Sequence, residues 1–273
     1  MTDSFQHSLI TSYKYKIYHP FIKAISDYSL INPDDKIAVC ISGGKDSFLM
    51  AECFKELVKY SKVPFDCVYL LMDPGYKTED MQRIMNNAEL FNINLLVFKT
   101  EIFNISSLQG KKQCYFCAKM RRGALYSKAK ELGCNKIALA HHFNDVIETT
   151  LLSIFYSGEI ETMLPKVDSD NYKGMSLIRP MYYVKEDDIT SYAKDNGLSF
   201  LKYGCPIEKA CCDSDSSKRK IIKKIIKELN SNNNAVEQNI FKSVDNVNLN
   251  KILGYRKDNQ YFSHFEVKKS DEN

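Results

Sequence analysis

Nowhere in this 273-residue chain does an apolar run approach the length of a membrane span, and residues 1–21 hold no sustained apolar stretch of the secretory type. Both absences predict a soluble, cytoplasmic protein with no membrane partner. No internal repeat is visible, which excludes a repeat architecture. The composition is that of an ordinary globular protein, 44% hydrophobic and 26% charged. The length suffices for one large domain or two small ones around a real core. Nine cysteines in such a chain point to reduced, metal-bound or catalytic thiols rather than disulfides.

Acidic residues are missing from one long segment. Residues 111–130, "KKQCYFCAKMRRGALYSKAK", carry seven Lys or Arg and no Asp or Glu. Residues 202–228 carry eight Lys or Arg against four acids. Each basic segment lies beside clustered cysteines, a pattern that suits a polyanionic partner such as nucleic acid better than two unrelated solvated helix faces.

Short apolar runs at 36–41, 65–72, 94–98, 136–140 and 175–178 alternate with helical patterns at 45–60, 78–91, 115–132, 145–156 and 186–196. This alternation predicts an α/β fold, a parallel twisted sheet with helices on both faces. The reading divides the chain into a helical segment (1–33), a nucleotide-binding domain (34–200) and a region (201–273) with cysteines, a basic helix and a loosely structured tail. In that region Ile221, Ile222, Ile225 and Ile226 fall on one side of an amphipathic helix over 216–229. In sheets of this kind ligands gather at the carboxyl ends of strands, where Ser42, Asp73 and His141 fall.

The stretch "ISGGKDS" follows the first strand. It lacks the spacing of a Walker A loop: Val39 stands where the first glycine would be, and Asp46 replaces the hydroxyl residue after Lys45. It lacks the third glycine of a dinucleotide fingerprint as well. What remains is Ser42-Gly43-Gly44-Lys45-Asp46-Ser47 between a strand and a helix. The Gly43 and Gly44 amides, with the Ser42 and Ser47 hydroxyls, form an anion cradle at a helix N-terminus. Lys45 supplies positive charge where negative charge develops on a bound phosphate, and Asp46 orients Lys45 or holds Mg²⁺.

Cys114 and Cys117 form a CxxC pair near a helix start, which by spacing alone suits half a zinc site, part of an iron–sulfur site or a redox dithiol. Cys205, Cys211 and Cys212 follow downstream. Cys40, Cys53, Cys67 and Cys134 sit within apolar elements and read as small core residues.

Taken together, "ISGGKDS", "CYFCAKMRRGALYSKAKELGCNKIALAHHFNDVIETTLLSIFYSGE" and "LIRPM" resemble the TtcA-type tRNA 2-thiocytidine synthetases, PP-loop enzymes of the N-type ATP pyrophosphatase superfamily. The likeness runs from about residue 31 to residue 229. It implies an adenine nucleotide alpha hydrolase-like fold and an enzyme that adenylates the C2 oxygen of an anticodon-loop cytidine, at position 32, before sulfur replaces that oxygen. It further implies ATP and Mg²⁺, a cysteine desulfurase as sulfur source, a tendency to homodimerise, and a [4Fe–4S] cluster on three cysteines with one iron open. We expect Cys114, Cys117 and Cys205 as the ligands. Ser42, Gly43, Gly44, Lys45, Asp46, Ser47, Asp73 and His141 are expected at ATP. Lys45, Asp46, Asp145 and Arg179 are expected in catalysis, and Arg121 and Arg122 at tRNA. Two features depart from the family pattern: Ala140 and Asn144 replace its glycine and first aspartate, and the third cysteine segment has unusual spacing. Competing readings are a lysidine-forming or acid-amidating PP-loop enzyme, a zinc-type tRNA thiolase, and an iron–sulfur sensor or RNA-binding module.

Overall fold

The computed structural model describes residues 2–100, 102, 113–201, 218–258 and 260–265, with the backbone alone for 2–4 and 113–118. Two helices, α1 (Thr2–Ile10) and α2 (His19–Asp27), flank a π-helical turn at Lys14–Tyr18. The sheet strands are β1 (Asp35–Ile41), β2 (Phe65–Asp73), β3 (Leu95–Lys99), β4 (Lys136–Ala138), β5 (Lys166–Asp168) and β6 (Ser176–Ile178). Between and after them run α3 (Lys45–Tyr60), α4 (Thr78–Leu90), α5 (Gln113–Glu131), α6 (Phe143–Ser157), α7 (Glu186–Asp195), α8 (Lys218–Asn232) and α9 (Val236–Ser243). A hairpin of β7 (Gly254–Lys257) and β8 (Gln260–Ser263) follows.

The strand order is β3-β2-β1-β4-β6-β5, parallel except for β5, which pairs antiparallel with β6. The expected doubly covered parallel sheet is therefore present, with an antiparallel edge strand that periodicity did not indicate. Covering of both faces is legible in β1. Ile37, Val39 and Ile41 pack into one cluster with α3 and the N-terminal helices, while Ala38 and Cys40 pack into another with Tyr126 and Ala129 of α5.

The N-terminal segment belongs to the first of these cores. Phe5, Leu9, Tyr13, Ile17 and Phe21 are buried in the same cluster as Phe48, Phe54 and Phe91, and the Phe21 and Phe54 rings meet edge to face at 5.4 Å. Each such side chain contributes about 1.5–3 kcal/mol by burial. Pro20 explains the π-turn: it lacks the N–H that would bond back to Lys16, and the preceding turn widens.

Lys136 stands buried in β4 because its charge is matched. Its Nζ lies 2.5 Å from Asp35 and 2.8 Å from the Leu30 carbonyl, and Asp35 also accepts from Asn135 at 2.7 Å and the Asn32 N–H at 2.6 Å. At the other end of the chain, α8 packs on α6 through Ile222 and Ile226, with Ile225 partly buried and Ile221 39% exposed. After α8 the chain forms α9 and the β7–β8 hairpin; residues 266–273, the end of the tail expected to be loosely structured, lie outside the described residues.

Candidate active site

The order of strands reverses between β1 and β4, so a crevice opens above their carboxyl ends. The loop Ser42–Ser47 leaves β1 there, and residues 139–142 leave β4. Gly43 sits at φ +86°, and a Cβ on it would stand 2.9 Å from Leu201 Cδ1 and 3.0 Å from Ile84. Only glycine suits that position. Gly44 has an ordinary φ of −86° and begins α3 as its N-cap residue.

The loop's hydroxyls are wired to each other. Ser47 Oγ accepts from the Ser42 N–H at 3.1 Å, lies 3.2 Å from Ser42 Oγ, and donates to the Gly44 carbonyl at 2.9 Å. Lys45 pairs with Asp46 at 3.0 Å and with Glu186, the first residue of α7, at 3.6 Å.

At β4's exit, His142 and Asp145 cap α6 reciprocally. The Asp145 carboxylate accepts the His142 N–H at 3.1 Å, and His142 Nδ1 accepts the Asp145 N–H at 3.4 Å. Asn144, which replaces the family's aspartate, accepts the Glu186 N–H at 2.9 Å and so joins the starts of α6 and α7. Burial pushes the Asp145 carboxyl up, but the His142 and His141 rings, the His142 N–H and Arg219 outweigh it and hold it below the usual range. Burial lowers His141 to about 4, which keeps its ring neutral near pH 7, and its buried Nδ1 has no hydrogen-bond partner among the described residues.

Arg179 follows β6 and is 7% exposed. Its Nη1 donates to the Leu164 carbonyl, while its buried Nε has no partner among the described residues. Burial, and then Arg122, bring its pKa down to about 10, still cationic at neutral pH. Two buried polar atoms without partners among the described residues, one on half-buried His141 and one on buried Arg179, mark a place at this crevice shaped for a polar ligand.

These groups surround one cavity of about 470 Å³. Ser42, Asp46 and Ser47 come from the loop, Arg121 and Arg122 from α5, and His141, Asp145 and Arg179 from the strand exits. A second cavity, about 710 Å³, opens on the far side of the loop at Gly44, Lys45 and Asp46, with Arg121 lining both. Arg121 and Arg122, expected at tRNA, thus line the cavity beside the phosphate loop. Cys40 also lines the first cavity, and burial pushes its thiol up to about 12, so it is neutral there. Cys53 and Cys134 are buried, as expected of core residues, and Cys67 is partly so.

Other expected residues lie elsewhere. The Asp73 carboxylate accepts the N–H groups of Gly75 and Tyr76, both at 2.9 Å, and closes a turn. Positions 114 and 117 fall in the opening turns of α5, with only their backbone described; Cys205, Cys211 and Cys212 lie outside the described residues. Among the described residues no three His, Cys, Asp or Glu side chains converge as metal ligands.

Sequence reasoning missed four residues. Arg219 of α8 donates to Asp145 at 3.0 Å and to Glu148 at 3.1 Å. Lys223 lies 3.5 Å from Glu148 and 2.9 Å from Glu186. Two charges of the second basic segment are therefore engaged inside the protein. The available signal was Glu148 itself, three residues after Asp145 on one helix face.

Comparison with known proteins agrees with this geometry. A family model described as a PP-loop domain matches residues 12–228. Fold and loop thus define a PP-loop domain whose loop lines the cavity at the β1–β4 crevice. Curated relatives include the tRNA-cytidine(32) 2-sulfurtransferase of Syntrophotalea carbinolica, 40% identical over 68% of this chain and 73% of the relative. That of Geotalea uraniireducens is 34% identical over 86% of this chain and 92% of the relative. The chain belongs to the tRNA-cytidine(32) 2-sulfurtransferase family, transferases of the PP-loop type. Among solved structures, the U34-tRNA thiolase NcsA from Methanococcus maripaludis, with its [4Fe-4S] cluster, shares the fold at a TM-score of 0.66. It is 20% identical, covering 83% of this chain and 76% of that one. No described helix is long and apolar enough to cross a membrane.

Proposed function

We infer that this chain converts cytidine 32 of tRNA to 2-thiocytidine at the expense of ATP. The observation that carries the reading is the convergence of the phosphate loop, the neutral His141, Asp145 and the buried Arg179 on one cavity at the β1–β4 crevice. The chemistry needs such a set. A carbonyl oxygen at C2 is a poor leaving group; its attack on the α-phosphorus of ATP expels pyrophosphate and makes AMP the leaving group. Sulfide then adds at C2, and the C–O bond breaks to release AMP.

In this scheme the Ser42–Ser47 loop cradles the leaving pyrophosphate with its amides and hydroxyls. Lys45 exchanges its contacts with Asp46 and Glu186 for the developing phosphate charge. Arg179, with its unpartnered Nε, stabilises negative charge on the transferring phosphoryl group. Arg121 and Arg122 draw the RNA backbone to the cavity mouth. Asp46 and Asp145 are the carboxylates available to Mg²⁺, and Asp73 shapes the β2 exit beside the nucleotide. Cys114, Cys117 and Cys205 are the thiolates that would hold a [4Fe–4S] cluster with one iron left without a protein thiolate, and the cluster would carry sulfur taken from a cysteine desulfurase once an external electron donor has reduced that persulfide sulfur to sulfide. The donor set fits in its chemistry: three thiolates, two of them three residues apart at the start of a basic helix. Residues 34–200 form the nucleotide domain, 1–33 brace it, 201–273 bring the third cysteine, and the working unit is a homodimer.

Mass spectrometry of tRNA nucleosides from cells with and without the protein tests the reading. Thiolated cytidine should disappear with the protein. Its persistence in the deletion, or its absence from cells holding the protein, overturns the assignment.

A further inference from the structure

A third cavity, of about 670 Å³, lies away from the phosphate loop, between the N-terminal helices, the start of α6 and α9. It is walled by aromatic rings. Phe143 stacks on Phe241 at 4.8 Å and 22°, Tyr182 meets Phe241 at 5.3 Å, and Tyr28 and Tyr183 close the floor with their hydroxyls bonded at 2.9 Å. At the rim stands Tyr15, 74% exposed, on the π-helical turn, held edge-on to His19 at 4.8 Å with Lys14 5.8 Å from its ring. The Tyr15 ring is thus left largely in solvent beside a wall of other aromatic rings, open to a stacking partner.

A cation is available at the pocket. Lys23 and Lys242 line the pocket against a single acid among its described lining residues, Asp245. Lys23 already lies 2.5 Å from Asp27, whereas the exposed Lys242 has no ion-pair partner among the described residues. Position matters equally. Met163 lines the catalytic cavity while Thr162 and Leu164 line this one, so a single extended segment separates them.

We propose that this pocket binds a nucleotide of the RNA substrate, its base stacked on Tyr15 and the rings behind it, its phosphate met by Lys242. The proposal rests on the RNA-modifying reading above and adds a site to it. Rings accept any base by stacking, and a cation at the edge meets the phosphate; this is how proteins hold single-stranded segments. The pocket thereby fixes the RNA strand on one side of the 162–164 segment while the reacting cytidine enters on the other.

The test uses the full chain and unmodified tRNA from cells lacking the protein, with affinity measured across salt concentrations. Tyr15→Ala should weaken tRNA binding about tenfold, and Tyr15→Phe should restore it to within about twofold, because stacking needs the ring alone. Lys242→Ala should lower the salt slope by up to about one. ATP binding should be unchanged in all three, which shows that they fold. Wild-type affinity and slope in both alanine variants overturn the pocket while leaving the RNA reading intact. A loss of self-association that accounts for the weaker binding overturns it too, making this face a protein interface. Failure of the wild type to bind tRNA overturns both readings.

Discussion

Arg219 and Asp145 lie 74 positions apart in sequence and 3.0 Å apart in space. The contact ties α8, which follows directly on the segment 202–217, to the helix start that faces the catalytic cavity. Around it runs a chain of alternating charge, from Lys45 through Glu186, Lys223, Glu148 and Arg219 to Asp145.

Removing Arg219 exposes the weakness of that chain. Glu148 is only 2% exposed and would keep Lys223 alone, at 3.5 Å. Arg219→Ala should cost about 1–2 kcal/mol, less than breaking a fully buried pair, since Arg219 is 44% exposed. Urea unfolding measures the loss. AMP release with tRNA present should fall with it, as Asp145 loses an anchor; unaltered turnover would make the pair structural only.

Glu148 predicts a pH dependence. Burial, reinforced by Asp145 and Glu186 against Lys223 and Arg219, pushes it up to about 7. An acid whose folded pKa exceeds its unfolded value binds more protons when folded, so its contribution to stability falls as pH rises through that interval and then levels. The unfolding free energy of wild type minus Glu148→Gln should decline from about pH 4.5 to 7 and be flat above that. Parallel curves would refute the shift.

The two loop glycines should differ. Gly43→Ala forces a side chain to φ +86° and onto Leu201, a strain of about 1–3 kcal/mol. A Cβ on Gly44 meets only Ser42 Oγ, at an ordinary 3.7 Å. Thermal melts should separate the variants clearly, and ATP binding should be lost in Gly43→Ala first.

Nucleotide chemistry and iron content should be separable. Lys45→Ala should abolish tRNA-dependent AMP formation and leave iron content intact, because the loop and the cysteines sit on different elements. Alanine at Cys114, Cys117 or Cys205 should remove iron and thiolation, whereas Cys211→Ala and Cys212→Ala should be mild. A stoichiometric zinc signal without iron in the wild type contradicts the cluster.

Local physics made much of this legible in sequence. Residues 37–41 are apolar without a break, and a strand covered on both faces follows from that continuous run. Glycines and hydroxyls after such a strand form an anion cradle whatever the rest of the chain does, and the sequence placed His141 and Asp145 at the next strand exit. Tertiary structure alone decided where long-range partners went. A basic helix reads the same whether its charges face RNA or carboxylates 37 to 74 residues away, so the packing of α8 on α6 was needed to place Arg219 and Lys223 inside the protein. Asp73 sits at a strand end, yet two amides only two and three residues ahead hold its carboxylate. The three-residue β5 is too short to show a period. The aromatic pocket is assembled from helices at both ends of the chain, and no window of sequence contains it. Periodicity and turn chemistry act over a few residues, while ion pairing and cavity formation depend on which surfaces meet.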